Sequence, residues 1–254
     1  MKESTKTYKA MISTDWNECL APTGPFDPIA FSYPELSSEL ESIFRRYTAN
    51  KMTLGQAVER LNSLLPSPLT MEQMDAYLDR HFATYRGVPE LIKWCSKNNF
   101  LFMINTTAAI GYFQRVFAKG LLPPVPALSG HTMVRFPAEP TDPDFIVPLE
   151  ETTDKAKNTQ KIADMYNIVP NRIILIGDSG GDGPHFEWGA TAGCHLIGSM
   201  AKHSLQSYCT QKQINISYFF GLRYKEGQPR DLEMEMRYDF MDLRAIILEL
   251  LNLD

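Results

Sequence analysis

Short apolar runs recur along the chain, and each is bounded by a polar or Gly-rich turn. Such runs are typical of buried strands in a parallel sheet, where helices cover both faces. The predicted strands cover residues 8–14, 100–104, 173–176, 194–198 and 216–222. Segments with apolar residues at helical spacing lie between most of them. This alternation predicts an α/β fold built on a doubly wound parallel sheet.

The helices of this alternating part are predicted over residues 89–97, 108–119, 154–166 and 241–251. The proline-rich stretch between the second and third of these is harder to read. We expect a short strand near 133–136 and a loop around 140–148. The alternating Glu and Met residues at 233–236 are expected to form a solvated lead-in to the last helix.

The stretch from 21 to 86 differs from the rest because it has no strand signal. Apolar residues at helical spacing predict three helices, over 36–47, 54–65 and 70–85. Thr53 followed by Gln56 matches a capping box at the start of the second helix. We therefore expect a small helical domain at 21–86, inserted into a core domain made of residues 1–20 and 87–254.

Composition narrows the function classes. The chain has 254 residues, 44% of them apolar, and a net charge of −5. No long basic block is present, which argues against a nucleic-acid partner. No apolar stretch approaches the roughly 20 residues that span a bilayer, and the polar start at 1–9 does not resemble a secretory signal. Four scattered cysteines without a CxxC pair favour reduced thiols and a cytoplasmic protein; the oligomeric state is left open.

Polar side chains follow three of the predicted strands, and ligand sites of open α/β sheets lie outside the carboxyl ends of strands. They are Asp15 after the first strand, Asn105, Thr106 and Thr107 after the second, and Asp178 and Asp182 after the third. Lys155 and Lys157 lie between the last two groups. Carboxylate oxygens are ligands that Mg²⁺ prefers, and a cation beside them can neutralise a phosphoryl group. The cluster therefore has the parts that phosphoryl transfer needs.

The order of these motifs resembles the haloacid dehalogenase superfamily of hydrolases. The matching residues are Asp15-x-Asn17, then a strand with Thr106, then Lys155, then Gly177-Asp178-x-x-x-Asp182. The helical insertion at 21–86 lies where that superfamily carries its first type of cap. The resemblance covers nearly the whole chain, and it implies a Rossmann-like core with a cap domain.

The resemblance also implies a role for each matching residue. Asp15 matches the nucleophile that forms an aspartyl-phosphate, and position 17 matches the general acid/base, whose backbone carbonyl also binds Mg²⁺. The phosphate-binding hydroxyl matches Thr106, with Asn105 or Thr107 as alternatives, and the phosphate-binding lysine matches Lys155, with Lys157 as second choice. Asp178 and Asp182 match the acidic pair of the metal site. The implied activity is a Mg²⁺-dependent phosphatase acting on a small phosphorylated metabolite.

Asn17 departs from the family pattern, because the phosphatases carry Asp there. An amide cannot transfer a proton at neutral pH, and a lost general acid costs typically 10² to 10⁴-fold in rate. Cys19 is a further departure, since the family often has Thr at that position. Three interpretations remain: a substrate with a good leaving group, a substitute acid such as Glu18 or Asp27, or a relative of low or no activity that binds without turnover. Haloacid dehalogenation is less favoured because the acidic metal loop is complete.

Overall fold

The computed structural model describes residues 7–48 and 51–253; the first six positions of the polar start lie outside this range. In the described residues, seven strands form one sheet in which every neighbouring pair is parallel. The strands are β1 (Ala10–Thr14), β2 (Phe100–Ala109), β3 (Ala127–His131), β4 (Phe145–Pro148), β5 (Ile173–Gly177), β6 (His195–Ala201) and β7 (Tyr218–Arg223). The predicted doubly wound parallel sheet is thereby confirmed.

The strand order is β4-β3-β2-β1-β5-β6-β7, so the direction of winding reverses at β1. In register, Ile12 of β1 lies between Phe102 of β2 and Ile174 of β5. The carboxyl ends of these three strands therefore finish side by side. In open α/β folds this switch point is where a crevice forms and ligands bind.

Helices cover both faces of the sheet. One face packs on α5 (Val88–Lys97), α6 (Ile110–Ala118) and α11 (Leu243–Leu250), and the other on α7 (Asp154–Met165), α8 (Gly183–Ala192) and α9 (His203–Gln211). Side chains of a strand point alternately to the two faces. Ile12 accordingly lies in the first core cluster and Met11 in the second, and both are fully buried.

Between β1 and α5 the described chain is helical. This segment contains α1 (Asp27–Ser32), α2 (Ser37–Thr48), α3 (Leu54–Leu64) and α4 (Met71–His81). The predicted capping box is present, since Thr53 Oγ1 accepts the Gln56 N–H at 3.2 Å and Gln56 Oε1 accepts the Thr53 N–H at 3.1 Å. The third helix ends at His81 rather than at Tyr85. The short α1 was not predicted, because its six residues are too few to show helical spacing.

Two polar contacts fasten this helical segment to the core. Arg115 of α6 makes a bidentate contact with Asp75 of α4, at 2.8 and 3.0 Å. Glu151 accepts the N–H groups of Leu54 at 3.1 Å and Gly55 at 3.0 Å, at the N-terminus of α3. A carboxylate at that end of a helix satisfies free donors and complements the helix dipole. The segment is therefore held over the sheet at two separate helices.

The strand expected at 133–136 is wrong, and the loop expected at 140–148 is partly wrong. The structure has β3 at Ala127–His131 and β4 at Phe145–Pro148 instead. The polar backbone of 133–136 is satisfied by α6: Gly111 donates to the Val134 carbonyl at 2.7 Å, and Gln114 accepts from the Phe136 N–H at 2.8 Å. These hydrogen bonds replace the strand pairing that the apolar residues suggested.

The solvated lead-in expected at 233–236 is wrong at Glu235. This residue ends α10 (Leu232–Glu235) and is fully buried. Its carboxylate accepts hydrogen bonds from the Tyr224 hydroxyl at 2.6 Å, from Arg230 at 2.5 Å, and from the Tyr85 hydroxyl. A buried carboxylate needs such partners, because an unpaired one is strongly unfavourable.

The four cysteines carry free thiols. None of the helices in the described parts of the chain has the length and apolarity to cross a bilayer.

Candidate active site

Four neighbouring strand ends bring polar side chains together at the switch point. Asp15 follows β1, Thr106 lies in the last part of β2, Asp178 follows β5 and Lys202 follows β6. The four strands are adjacent in the order β2-β1-β5-β6. The sheet alone therefore assembles a nucleophile candidate, a hydroxyl, a carboxylate and a cation.

Three carboxylates form the acidic part of the site. Asp15, Asp178 and Asp182 each offer an oxygen within 4.8 Å of the other two. Backbone groups of its own loop orient Asp182, because its Oδ2 accepts the N–H groups of Asp178 at 3.0 Å and Ser179 at 3.2 Å. Gly177 is required there, since a Cβ at that position would lie 2.5 Å from Asp182 Cγ. Such closely spaced hard oxygen ligands suit a Mg²⁺ ion.

Lys155 lies between two of these carboxylates. Its Nζ is 2.6 Å from Asp182 Oδ1 and 3.2 Å from Asp15 Oδ1, and the side chain is almost fully buried. Lys157, the alternative, is exposed and pairs with Asp154 at 2.8 Å on the surface. The structure therefore brings Lys155 to the site and leaves Lys157 outside it.

A second lysine reaches the site from β6. Lys202 Nζ lies 2.8 Å from Asp178 Oδ2 and also forms an ion pair with Glu18. Glu18 is bound in turn by Arg230 at 2.7 Å. Sequence reasoning missed Lys202. The predicted strand ended at residue 198, so the criterion that selected Asp15 and Asp178 did not reach Lys202; in the structure β6 continues to Ala201.

The electrostatics of the cluster show a deficit of positive charge. Burial, opposed by Lys202 and reinforced by Asp182 and Asp15, raises the pKa of Asp178 to about 8. Burial also raises the pKa of Asp15, against the pull of Lys155. Burial acts in the same sense on Asp182, but Lys155 prevails and holds the pKa of that carboxyl below its usual range.

The charges of the side chains also show that the cluster has too little positive charge. Four carboxylates (Asp15, Glu18, Asp178 and Asp182) face two ammonium groups (Lys155 and Lys202), and Arg230 is shared with the buried Glu235. With all groups ionised, four minus two leaves two negative charges unbalanced. One divalent cation would cancel them, so both the donor set and the charge fit the Mg²⁺ implied by the family resemblance.

The phosphate-binding candidates after β2 occupy different surroundings. The Asn105 amide donates to Ser13 at 3.2 Å, to the Lys155 carbonyl at 2.9 Å and to Thr159 at 3.0 Å, all below the site. The Thr106 hydroxyl accepts the Ala108 N–H at 3.2 Å and lies close enough to Asp15 to oppose the rise in the pKa of that carboxyl. Thr107 lies on the wall of the cavity in front of Asp15. Both threonines therefore reach the site, whereas the Asn105 amide is used inside the core.

Asn17 hydrogen-bonds within the loop that follows Asp15. Its Nδ2 donates to the Thr23 carbonyl at 3.1 Å, while its buried Oδ1 has no hydrogen-bond partner in the described residues. Of the possible substitute acids, Asp27 accepts the Gly24 N–H at 2.8 Å and lines an outer groove instead of the cavity. Glu18 does line the cavity, but ion pairs with Lys202 and Arg230 hold it. Neither is placed as a free proton donor.

The helical segment closes the site from above. Phe44, Tyr47 and Thr48 of α2 line the cavity opposite Asp15 and Lys155. Burial raises the pKa of Tyr47, which keeps the phenol neutral, and the nearby Thr107 hydroxyl opposes that rise. The sequence showed Tyr47 only as an apolar position of a helix. Its role at the site depends on the tertiary position of α2, which no local pattern reveals.

Comparison with solved structures identifies the fold. A phosphoserine phosphatase captured as a phospho-aspartyl intermediate analogue aligns over 94% of this chain and 99% of its own, with a TM-score of 0.65 and 16% identity. A HAD family hydrolase from Salmonella enterica serovar Typhi aligns over 86% and 69%, with a TM-score of 0.62 and 17% identity. CbbY from Rhodobacter sphaeroides in complex with phosphate aligns over 83% and 93%, with a TM-score of 0.51 and 15% identity.

These likenesses show that the chain has the α/β fold of the haloacid dehalogenase type of hydrolase, as its motifs imply. No protein-family model matches the sequence, and no curated protein matches it.

Proposed function

We propose that this chain is a Mg²⁺-dependent phosphatase that acts on a small phosphorylated metabolite through an aspartyl-phosphate at Asp15. The observation that carries the proposal is the position of Asp15. Its carboxylate is buried at the end of the central strand, between the ammonium of Lys155 and the carboxylates of Asp178 and Asp182. The neighbour captured as a phospho-aspartyl intermediate analogue has the same fold, which supports the choice of chemistry.

In this proposal Asp15 is the nucleophile. Its Oδ1 is oriented by the Trp16 N–H at 2.7 Å and by Lys155, which holds the carboxylate in one position. Attack on phosphorus forms an Asp15 oxygen–phosphorus bond and breaks the bond to the leaving-group oxygen. Water then attacks phosphorus, the bond to Asp15 breaks, and inorganic phosphate leaves. Lys155 and the hydroxyls of Thr106 and Thr107 would bind the phosphoryl oxygens.

The metal site is assigned to Asp15, Asp178, Asp182 and the Asn17 carbonyl. A bound Mg²⁺ would neutralise the phosphate and the carboxylates, which otherwise repel each other. The helical segment 21–86 would act as the cap, because α2 already covers Asp15 and leaves a small cavity for the phosphoryl group.

Asn17 decides how this site differs from that of an efficient phosphatase. Since no free acid lies in its place, the leaving group must depart with a proton from solvent, and water must attack without a positioned base. Both steps are then slow. The proposal therefore includes a preference for good leaving groups and slow hydrolysis of the aspartyl-phosphate.

The same residue supports a second candidate, a protein that binds a phosphorylated ligand without turnover. An aryl phosphate assay with and without Mg²⁺ separates the two. Turnover by the wild type that is lost in Asp15→Asn supports the phosphatase. Turnover that appears only in Asn17→Asp supports the binding protein. Activity of the wild type that survives Asp15→Asn unchanged would refute the proposed nucleophile.

A further inference from the structure

Lys202 occupies the carboxylate that a metal ion would need. Its Nζ is 2.8 Å from Asp178 Oδ2, and its backbone N–H also donates to the Asp178 carbonyl at 2.8 Å. A divalent cation bound to Asp178 would add positive charge beside this ammonium, and like charges repel strongly in a buried site. The side chain of Lys202 and a metal therefore compete for the same carboxylate.

The contact between Lys202 and Asp178 is an ion pair without a well-directed hydrogen bond. Asp178 Oδ2 is buried and accepts no hydrogen bond from the described residues. Lys155 cannot supply one, because its Nζ is committed to Asp182 and Asp15. A buried carboxylate oxygen that accepts no directed hydrogen bond is energetically unfavourable. Asp178 Oδ2 would therefore gain by binding a ligand that coordinates it directly.

Lys202 has other partners ready if it leaves Asp178. Glu18 already forms an ion pair with it, and the Phe44 ring lies 5.8 Å from Nζ, which permits a cation–π contact. The side chain also lies on the boundary between the inner cavity and an outer groove, because it lines both. The side chain is 21% exposed, so it can move toward the groove without displacing the buried side chains around it.

We propose that Lys202 is a tethered cation that occupies Asp178 while the metal is absent and withdraws toward Glu18 when a divalent cation binds. This inference rests on the proposed metal site. It makes Lys202 a positioning residue that weakens metal binding by competition. Arg230 supports this exchange. It forms an ion pair with Glu18 at 2.7 Å and so fixes the position of the carboxylate to which Lys202 would move.

Competition from Lys202 should lower the apparent metal affinity by a measurable factor. If Lys202 occupies Asp178 about nine-tenths of the time, the apparent metal affinity is about tenfold below the intrinsic one. Removing the ammonium in Lys202→Gln should restore that factor, because Gln can still donate to Glu18 but carries no charge. Lys202→Arg keeps the charge and should bind metal as weakly as the wild type.

The test is Mn²⁺ binding to the metal-stripped full chain, followed by electron paramagnetic resonance, with Mg²⁺ calorimetry beside it. We expect the Kd of Lys202→Gln to be about tenfold or more below that of the wild type. Lys212→Gln is the matched control, since Lys212 is an exposed lysine paired with Glu187 far from the site, and it should not change Kd. Asp178→Asn should abolish binding.

The outcomes separate the two proposals. Binding that depends on Asp178 but is equal or weaker in Lys202→Gln overturns the role of Lys202 and leaves the proposed function intact. Absence of binding in the wild type and in every variant overturns both. A second measurement covers the case in which Lys202→Gln does not fold: in the wild type, Mg²⁺ should increase acylation of Lys202 by an amine-reactive ester, read by peptide mass spectrometry. Unchanged or decreased acylation overturns the inference.

Discussion

Lys155 Nζ lies 3.2 Å from Asp15 Oδ1, and both side chains are buried below the helical segment. The two residues are far apart in the chain and meet because α7 packs beside the central strand β1, where the hydroxyls of Ser13 and Thr159 hydrogen-bond at 2.8 Å. The ammonium orients the proposed nucleophile and offsets its burial. It also bonds Asp182, so one cation serves two buried carboxylates.

Substituting this lysine should therefore cost stability as well as activity. We expect Lys155→Met to lose about 3–5 kcal/mol of unfolding free energy, because removing one partner of a buried ion pair leaves a charge uncompensated. Lys157→Met is the control, since Lys157 is 73% exposed, and should stay within about 0.5 kcal/mol of the wild type. Urea unfolding of metal-free protein measures both. Equal losses in the two variants would contradict the assignment of Lys155.

Restoring a carboxyl group at position 17 should raise phosphatase activity. The Asn17 amide faces the Thr23 carbonyl at 3.1 Å, and a carboxyl in that place would favour its protonated form, which suits a general acid. We expect Asn17→Asp to increase kcat by about 10²-fold on alkyl phosphates. The gain should be much smaller on aryl phosphates, whose leaving groups need little protonation. Asn17→Ser is the control, and a similar gain in that variant would contradict proton transfer as the cause.

His185 should make the metal-free protein sensitive to acid. Burial, reinforced by Lys155 and opposed by Asp182, lowers the pKa of His185 to about 3, while its ring bonds Thr159 at 2.9 Å. The unfolded chain takes up a proton near the ordinary value of 6.5, and the folded one does so only near pH 3. The stability contributed by the neutral ring is therefore complete above pH 6.5 and is lost as pH falls toward 3.

The expected slope from this group is up to about 1.4 kcal/mol per pH unit below pH 6. His185→Gln should remove it, because Gln can bond Thr159 but does not titrate. Urea unfolding between pH 4.5 and 7.5 in the presence of EDTA measures the slope. His203→Gln, on an exposed residue, is the control. If the slope of His185→Gln equals that of the wild type, another group carries the acid sensitivity.

The buried Glu235 should contribute strongly to the stability of the protein. It accepts hydrogen bonds from Tyr85, Tyr224 and Arg230, and Arg230 in turn holds Glu18. We expect Glu235→Gln to lose about 3 kcal/mol or more, because Arg230 would keep its charge and lose its buried partner. Glu233→Gln, in the same helix but 81% exposed, should change stability by less than about 0.5 kcal/mol. Similar losses in both would contradict the network.

Local patterns in the sequence predict much of this fold. The apolar runs that became β1 and β5 are buried on both faces, so their strand character is visible without tertiary information. The capping box at Thr53 needs only residues of one turn. The proposed site motifs could also be placed, because strand ends carry them in a recognisable order.

The features that were missed depend on contacts between distant residues. Lys202 and Asp178 meet only because β6 lies beside β5, and Glu235 is buried because Arg230 and Tyr85 reach it from other elements. The apolar residues at 133–136 suggested a strand, but their backbone groups bond to α6. In each case the structure depends on contacts between residues far apart in the chain, which a local sequence pattern does not contain.

The most direct test of the proposed function is to look for the aspartyl-phosphate itself. The protein is incubated with Mg²⁺ and an aryl phosphate, quenched in acid, digested and mapped by mass spectrometry. Since Asn17 cannot activate water, the adduct should persist long enough to be detected. We expect one phosphoryl group on the peptide that contains Asp15 in the wild type, and none in Asp15→Asn. Turnover of the aryl phosphate without that adduct, at a rate unchanged in Asp15→Asn, would contradict the account.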